Sequence, residues 1–255
     1  MDRPEISTGL AKGLNYTVAA TGSLALMWTA VTAAQAQPSP TSPDSRFAAA
    51  FDSWSIGGGG GFNLFQTQAT ASDSYSVSDT FNQALHGEGG FGAIEAGRDV
   101  RVGNTVFGAY GDFHFGQKDA SFSSSDSYAS GSITLGNGGA VTGRAGIVVV
   151  PNLLFYGLAG WAWQQYTVDL NDSDPTPAIH GSHSGITNGP TVGVGAELLL
   201  RRFPNVSFKS EYRFAHYDGP SFAVSNGTES AAVDFDAIND HSFRFILSLK
   251  FPPTR

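Results

Sequence analysis

The chain has 255 residues, a formal charge of −8, no cysteine, 32 glycines and 19 phenylalanines. The missing cysteines exclude disulfides and thiolate metal sites, and the acidic balance excludes nucleic acid as a partner, because phosphate binding needs a basic face. Abundant glycine and aromatics, with no segment of helical period in the body of the chain, point to an all-β protein of one large domain or two small ones.

Residues 1–36 read as a secretory signal peptide. Arg3 and Lys12 precede an apolar run, TVAATGSLALMWTAV, too short to cross a membrane comfortably as a helix. Downstream, Ala34 and Ala36 flank Gln35 as an A-x-A cleavage site. Residues 37–51 begin QPSPTSPDSR, whose Pro38, Pro40 and Pro43 predict an extended periplasmic tether without a core. FAAAF at its end offers no more than a helical turn.

Residues 52–251 read as a meander of eight strands. Alternating runs cover 53–65, 89–98, 105–115, 140–149, 153–168, 190–200, 206–217 and 241–251. The connections RDVRVGN, Val150-Pro151-Asn152 and RRFPN are short. QTQATASDSYSVSD, QKDASFSSSDSYASG, DLNDSDPTPAIHGSHSG and DGPSFAVSNGTES are long, acidic and rich in Ser and Gly. Strict alternation of long and short connections places all turns at one end and all loops at the other. That is the pattern of an eight-stranded antiparallel up-and-down transmembrane β-barrel. Residues 252–255, PPTR, form a C-terminal extension.

Charge decides which face is wet. In HSFRFILSLKF, Phe243, Phe245, Leu247, Leu249 and Phe251 share one parity, and Arg244, Ser248 and Lys250 the other. With the polar parity inward, the lumen collects Glu95, Asp112, Glu197 and Glu211 against Arg144, Lys209, Arg213, Arg244 and Lys250, nearly neutral. With it outward, the lumen would have to hold Trp54, Ile56, Phe62, Phe107, Phe113, Phe208, Tyr212, Phe214 and the Phe/Leu strip. An eight-stranded barrel is only just wide enough for ordinary side chains, so that choice overfills it. Ser55, Gly57, Gly59, Gly61, Gly193 and Gly195 leave room for an internal ion-pair network that plugs the barrel. The strand at 153–168 has ambiguous parity, and its Phe155, Tyr156, Trp161, Trp163 and Tyr166 suit interfacial girdles.

GFGAIEAGRDVRVGN with TVFGAYGDF, TGRAGIVVVPNLLFYGLAGWAW, GPTVGVGAELLLRRFPNVSFKSEYRF and the terminal HSFRFILSLKF resemble the small outer-membrane β-barrel proteins labelled "porin family", OmpA- and OmpX-like eight-stranded barrels. The resemblance runs from about Ser53 to Phe251, and it departs from the family in the PPTR that follows the terminal aromatic. It implies a structural or surface role in the cell outer membrane, with adhesins and haem binders among the relatives.

Other motifs offer little chemistry. GEGGFG, Gly87 to Gly92, matches a dinucleotide fingerprint but is followed by a strand, not a helix. The run Gly57 to Gly61 lacks the Lys-Ser/Thr of a phosphate loop. His180 and His183 have a metal-like spacing, and DLNDSD from Asp169 lacks the Gly and distal Glu of a calcium loop. His216, Asp218 and Ser221 would form a triad only within one loop.

The expectation is therefore no catalytic residue, no cofactor and no metal. The expected role is structural and surface-interactive: envelope integrity, lipopolysaccharide contact or adhesion, with at most low-conductance passage. Expected partners are outer-membrane lipid and lipopolysaccharide, the barrel-assembly machinery through the C-terminal strand, and a host or other surface ligand through the acidic loops. The alternatives are a lipid-A-modifying enzyme, a haem- or small-ligand-binding surface barrel, and a soluble ligand-binding barrel.

Overall fold

The structure, a computed structural model, describes residues 43–73, 81–123, 129–172, 179–225 and 230–253. The expected signal peptide lies outside them. One helix, α1 (Pro43–Ala50), precedes eleven strands. These are β1 (Trp54–Asp73), β2 (Phe81–Val102), β3 (Thr105–Gly116), β4 (Lys118–Ser123), β5 (Ala129–Val150), β6 (Leu153–Asp172), β7 (Ile179–Leu200), β8 (Phe203–Tyr217), β9 (Ser221–Ser225), β10 (Ser230–Phe235) and β11 (Ile238–Phe251).

Every pairing is antiparallel, and the ring closes where β1 pairs β11 from Trp54↔Phe251 to Gln66↔Asn239. β3 and β4 are one strand broken at Gln117, β8 and β9 one strand broken at Asp218–Pro220, and β10 and β11 one strand bulged at Asp236 and Ala237, so eight strands form the barrel. A second bulge falls at Gly136 and Asn137 of β5. The short turns match those expected from the sequence. The first uses Gly103, whose φ of 63° suits a residue without Cβ.

The outward parity along the lower barrel is apolar: Trp54, Ile56, Phe107, Val141, Phe155, Phe245, Leu247, Leu249 and Phe251 are each exposed. From Trp54 to Leu64 this band is about 25 Å tall, the height of a bilayer's apolar zone. No described helix is long and apolar enough to cross a membrane; the crossing is by strands. Beyond Leu64 the same strands invert. Gln66, Gln68, Asn82, Glu88, Asp119, Asp169 and Asn171 face outward, while Phe65, Ala69, Leu85, Phe122, Ile133, Leu135, Val168, Val233 and Phe235 pack inside. Both bulges fall at this change of polarity.

The strands therefore continue well past the membrane as a polar-coated, oil-filled crown. This corrects the expectation of four long loops. Ser-rich Lys118–Ser123 is a strand whose Ala120 and Phe122 are buried inside, and the Ser-rich start of Ile179–Leu200 is a strand through continuous pairing with β6.

The tether also differs. Its described part is helical from Pro43, and Ala50 and Phe51 are fully buried with Val106, Val148, Leu154 and Leu199 at the turn end of the lumen. Ser53 Oγ donates to the Ala50 carbonyl at 2.7 Å, tying the helix end to β1. Phe47 and Phe51 find an apolar mouth to fill, and that burial outweighs the extended preference of the Pro-rich run. Tyr156, expected at a girdle, points inward and is buried; Phe155 and Trp161 point out.

A charge-paired lumen as the candidate functional site

Between the two apolar layers the lumen holds twelve buried ionisable side chains. Glu95, Asp99, Asp112, Glu197, Glu211 and Asp240 face Lys118, Arg144, Lys209, Arg213, Arg244 and Lys250, six of each sign. All lie on strands and on the inward parity, so the backbone itself fixes their height and direction.

At the turn end, Arg144 Nε and Nη2 donate to the two Asp99 oxygens at 2.9 and 2.6 Å, and Nη2 also reaches Glu197 at 2.6 Å. Lys250 Nζ sits 3.0 Å from Asp99 and 2.6 Å from Glu197. Tyr110 donates its hydroxyl to Asp99 at 2.7 Å. The Arg144 guanidinium lies between the Tyr110 and Tyr156 rings, 4.5 Å from each centroid.

One layer up, Lys209 pairs with Glu95 at 2.5 Å. Tyr156 donates to Glu211 at 2.6 Å, and Arg213 holds the other Glu211 oxygen at 2.9 Å through Nε. Arg213 and Arg244 share Asp112, at 2.5 and 2.9 Å. Lys118 pairs with Asp240 at 3.0 Å just below the crown. Glycine makes the space: a Cβ on Gly195 would lie 2.7 Å from the Tyr156 phenol, and one on Gly193 3.1 Å from Arg213.

Glu95, Asp112, Arg144, Glu197, Lys209, Glu211, Arg213 and Arg244, singled out in the sequence, thus all meet in the lumen. Asp99 was not among them, although it accepts from Arg144, Lys250 and Tyr110. RDVRVGN reads as a turn, yet Asp99 keeps the inward parity of Ala93, Glu95 and Gly97 within β2. The phenols of Tyr110 and Tyr156 and the Lys118–Asp240 pair were missed as well. The enclosed space between network and crown is about 30 Å³, lined by Asp112, His114, Arg213, Tyr217, Asp240 and Arg244. That is room for a water or two, not a solute.

The remaining candidates are dispersed. GEGGFG lies inside β2, with Gly87 against the Phe65 ring. His180 and His183 fall on opposite parities of β7, and His183 instead stacks on Phe222 at 5.2 Å. Asp169 is exposed on β6, and the acids that follow it in DLNDSD lie outside the described side chains. His216 pairs through Nδ1 with Asn239 at 2.8 Å, and no described hydrogen bond joins it to Asp218 or Ser221.

The comparisons agree with this geometry. A family model described as outer membrane protein beta-barrel domain matches residues 23–251. A "22 kDa outer membrane protein" of Rhizobium leguminosarum bv. viciae is 28% identical over 206 residues, 80% of each chain. Among solved structures, OprG from Pseudomonas aeruginosa aligns with 79% of this chain and 98% of its own at 8% identity and TM-score 0.51, a likeness of fold. The outer membrane protease OmpT from Escherichia coli aligns with 79% of this chain and 97% of its own at 10% identity and TM-score 0.45. The chain belongs to the outer membrane protein β-barrel domain family and is a protein of the cell outer membrane.

Proposed function

We propose that this barrel is a sealed scaffold, a structural and surface-contact protein that raises a rigid acidic crown above the membrane for envelope integrity and adhesion. The observation that carries the reading is three stacked layers of buried side chains in the lumen: apolar at the turn end, ion-paired in the middle, apolar again in the crown. A fixed cross-lumen network of six cations and six anions leaves the wall rigid and the axis blocked.

The crown supplies the contact surface. Segments 65–88, 164–190 and 215–239 contain no Lys or Arg, and 115–139 contains Lys118 alone, which points inward. Contact with lipopolysaccharide, with no cationic side chain to meet its phosphates, then runs through divalent ions held between carboxylate and phosphate. The aromatic-ended β11 is the segment for the assembly machinery to read.

Planar-bilayer recording of the refolded protein tests the sealed lumen. The expected trace is flat; large, long-lived conductance steps would overturn the reading.

A further inference from the structure

We propose that the turn end of the barrel is a binding surface for anionic phospholipid, its arginines holding headgroup phosphates of the leaflet opposite the crown. This deepens the surface-contact reading by naming a headgroup and a leaflet, and rests on that reading for the crown's outward placement.

Charge outside the lumen is segregated along the barrel axis. The cationic side chains described there are Arg98, Arg101, Arg201 and Arg202, and all stand toward the turn end. The acids described outside the lumen stand in the crown, apart from Asp52, which Arg98 pairs at 2.9 Å. The Arg98 guanidinium also leans on the Trp54 ring, 6.0 Å from its centroid, at the foot of the apolar band. Arg98 is therefore compensated.

The other three are not. Arg101 lies three residues past Arg98, about 10 Å farther along β2, beyond the hydrocarbon and at headgroup depth. Its Nε donates to the Gly103 carbonyl at 2.7 Å, which fixes the side chain at the hairpin tip and leaves both terminal nitrogens without a described partner. Arg201 and Arg202 form the turn between β7 and β8, just past Leu198, which is exposed on the lipid band. Both are exposed, and among the described residues no carboxylate pairs with Arg101, Arg201 or Arg202.

Lipid phosphate and the carboxylates of the cell wall are the anions within reach of this rim, and the neighbouring side chains decide between them. Val102 follows Arg101, Phe203 follows Arg202, and Val150 tips the third turn, all exposed. A hydrated wall polymer offers nothing to those groups, whereas a bilayer interface takes an apolar side chain and an adjoining cation together. A guanidinium fork matches two phosphate oxygens. A headgroup with no amine of its own keeps its charge for that fork, which selects phosphatidylglycerol over zwitterionic phosphatidylethanolamine.

The test places the full-length protein in mixed micelles holding equal phosphatidylglycerol and phosphatidylethanolamine of one chain length, and counts retained lipid by native mass spectrometry. Phosphatidylglycerol is expected to be retained about tenfold over phosphatidylethanolamine, since each arginine near the surface adds several-fold. Arg101→Gln, Arg201→Gln and Arg202→Gln together should bring that ratio to about one. If the triple variant does not fold, ~1 M ammonium acetate during lipid exchange, where charges are screened beyond about 3 Å, should do the same to the unaltered protein. Equal retention of the two lipids, or a preference that survives both the triple variant and the salt, would overturn the proposal. So would displacement of the lipid by inorganic phosphate more than by chloride at equal ionic strength, or arginine-dependent binding to purified cell-wall sacculi in place of a lipid preference. These outcomes leave the sealed lumen untouched, whereas a conducting pore would defeat that reading without bearing on lipid selection.

Discussion

At the residue scale, the lumen works by compensation. Asp99 and Glu197 are wholly buried, and among the described residues Arg144 and Lys250 are the cations bridging them. Arg144→Met leaves two carboxylates on one ammonium, and should cost about 3–5 kcal/mol of unfolding free energy in urea titrations in detergent. Replacing Arg144 and Glu197 together with Met should cost less than Arg144→Met alone, because the orphaned charge goes too. Glycine positions act by space. Gly195→Val drives a side chain into the Tyr156 ring, whose hydroxyl holds Glu211, and should cost about 1–3 kcal/mol by the same titration.

At the element scale, each strand has two environments. Leu247 is exposed on the lipid band and Gln68 on the crown, both on outward parities. Leu247→Lys should destabilise by about 2–4 kcal/mol, while Gln68→Lys should be near neutral, in refolding titrations into lipid vesicles. The inversion also explains what the sequence withheld. The parity of Phe243, Phe245 and Leu247 against Arg244 and Ser248 was legible because hydrocarbon and charge differ so strongly. In β4 and β10 the same period of two is present, with Phe122 between Ser121 and Ser123, and Val233 and Phe235 about Asp234. Outward Ser and Asp there match the composition of loops, so the strands looked like connections. Asp99 was hidden for a related reason, since its polar neighbours resemble a turn. α1 escaped because Phe47 and Phe51 gain their partners only when the barrel mouth exists. Phe51→Ala should cost about 3 kcal/mol, read as a lower urea midpoint.

At the scale of the whole molecule, the net negative charge belongs to the crown, and the lumen is neutral. The six described exposed crown acids are Glu88, Asp119, Asp169, Asp218, Asp234 and Asp236, whereas the lumen carries six charges of each sign. Neutrality inside lets a narrow barrel bury twelve charges without a net field. Closure and strand count were readable from the alternation of connections, and the side facing lipid from the volume of the aromatics. The height of the crown was not, because it depends on pairing between segments far apart in the chain, such as Ala69↔Phe235.

The chain has no cysteine, so single-cysteine spin labels along β1 and β11 report each position separately in liposomes. Labels at Ile56, Leu247 and Leu249 should relax with oxygen, which partitions into lipid. Labels at Gln66 and Gln68 should relax with a water-soluble nickel chelate, and labels at Ile246 and Ser248 with neither. Nickel relaxation at Ile246 and Ser248, or oxygen relaxation at Gln66 and Gln68, would contradict a sealed barrel whose polarity inverts at the membrane surface.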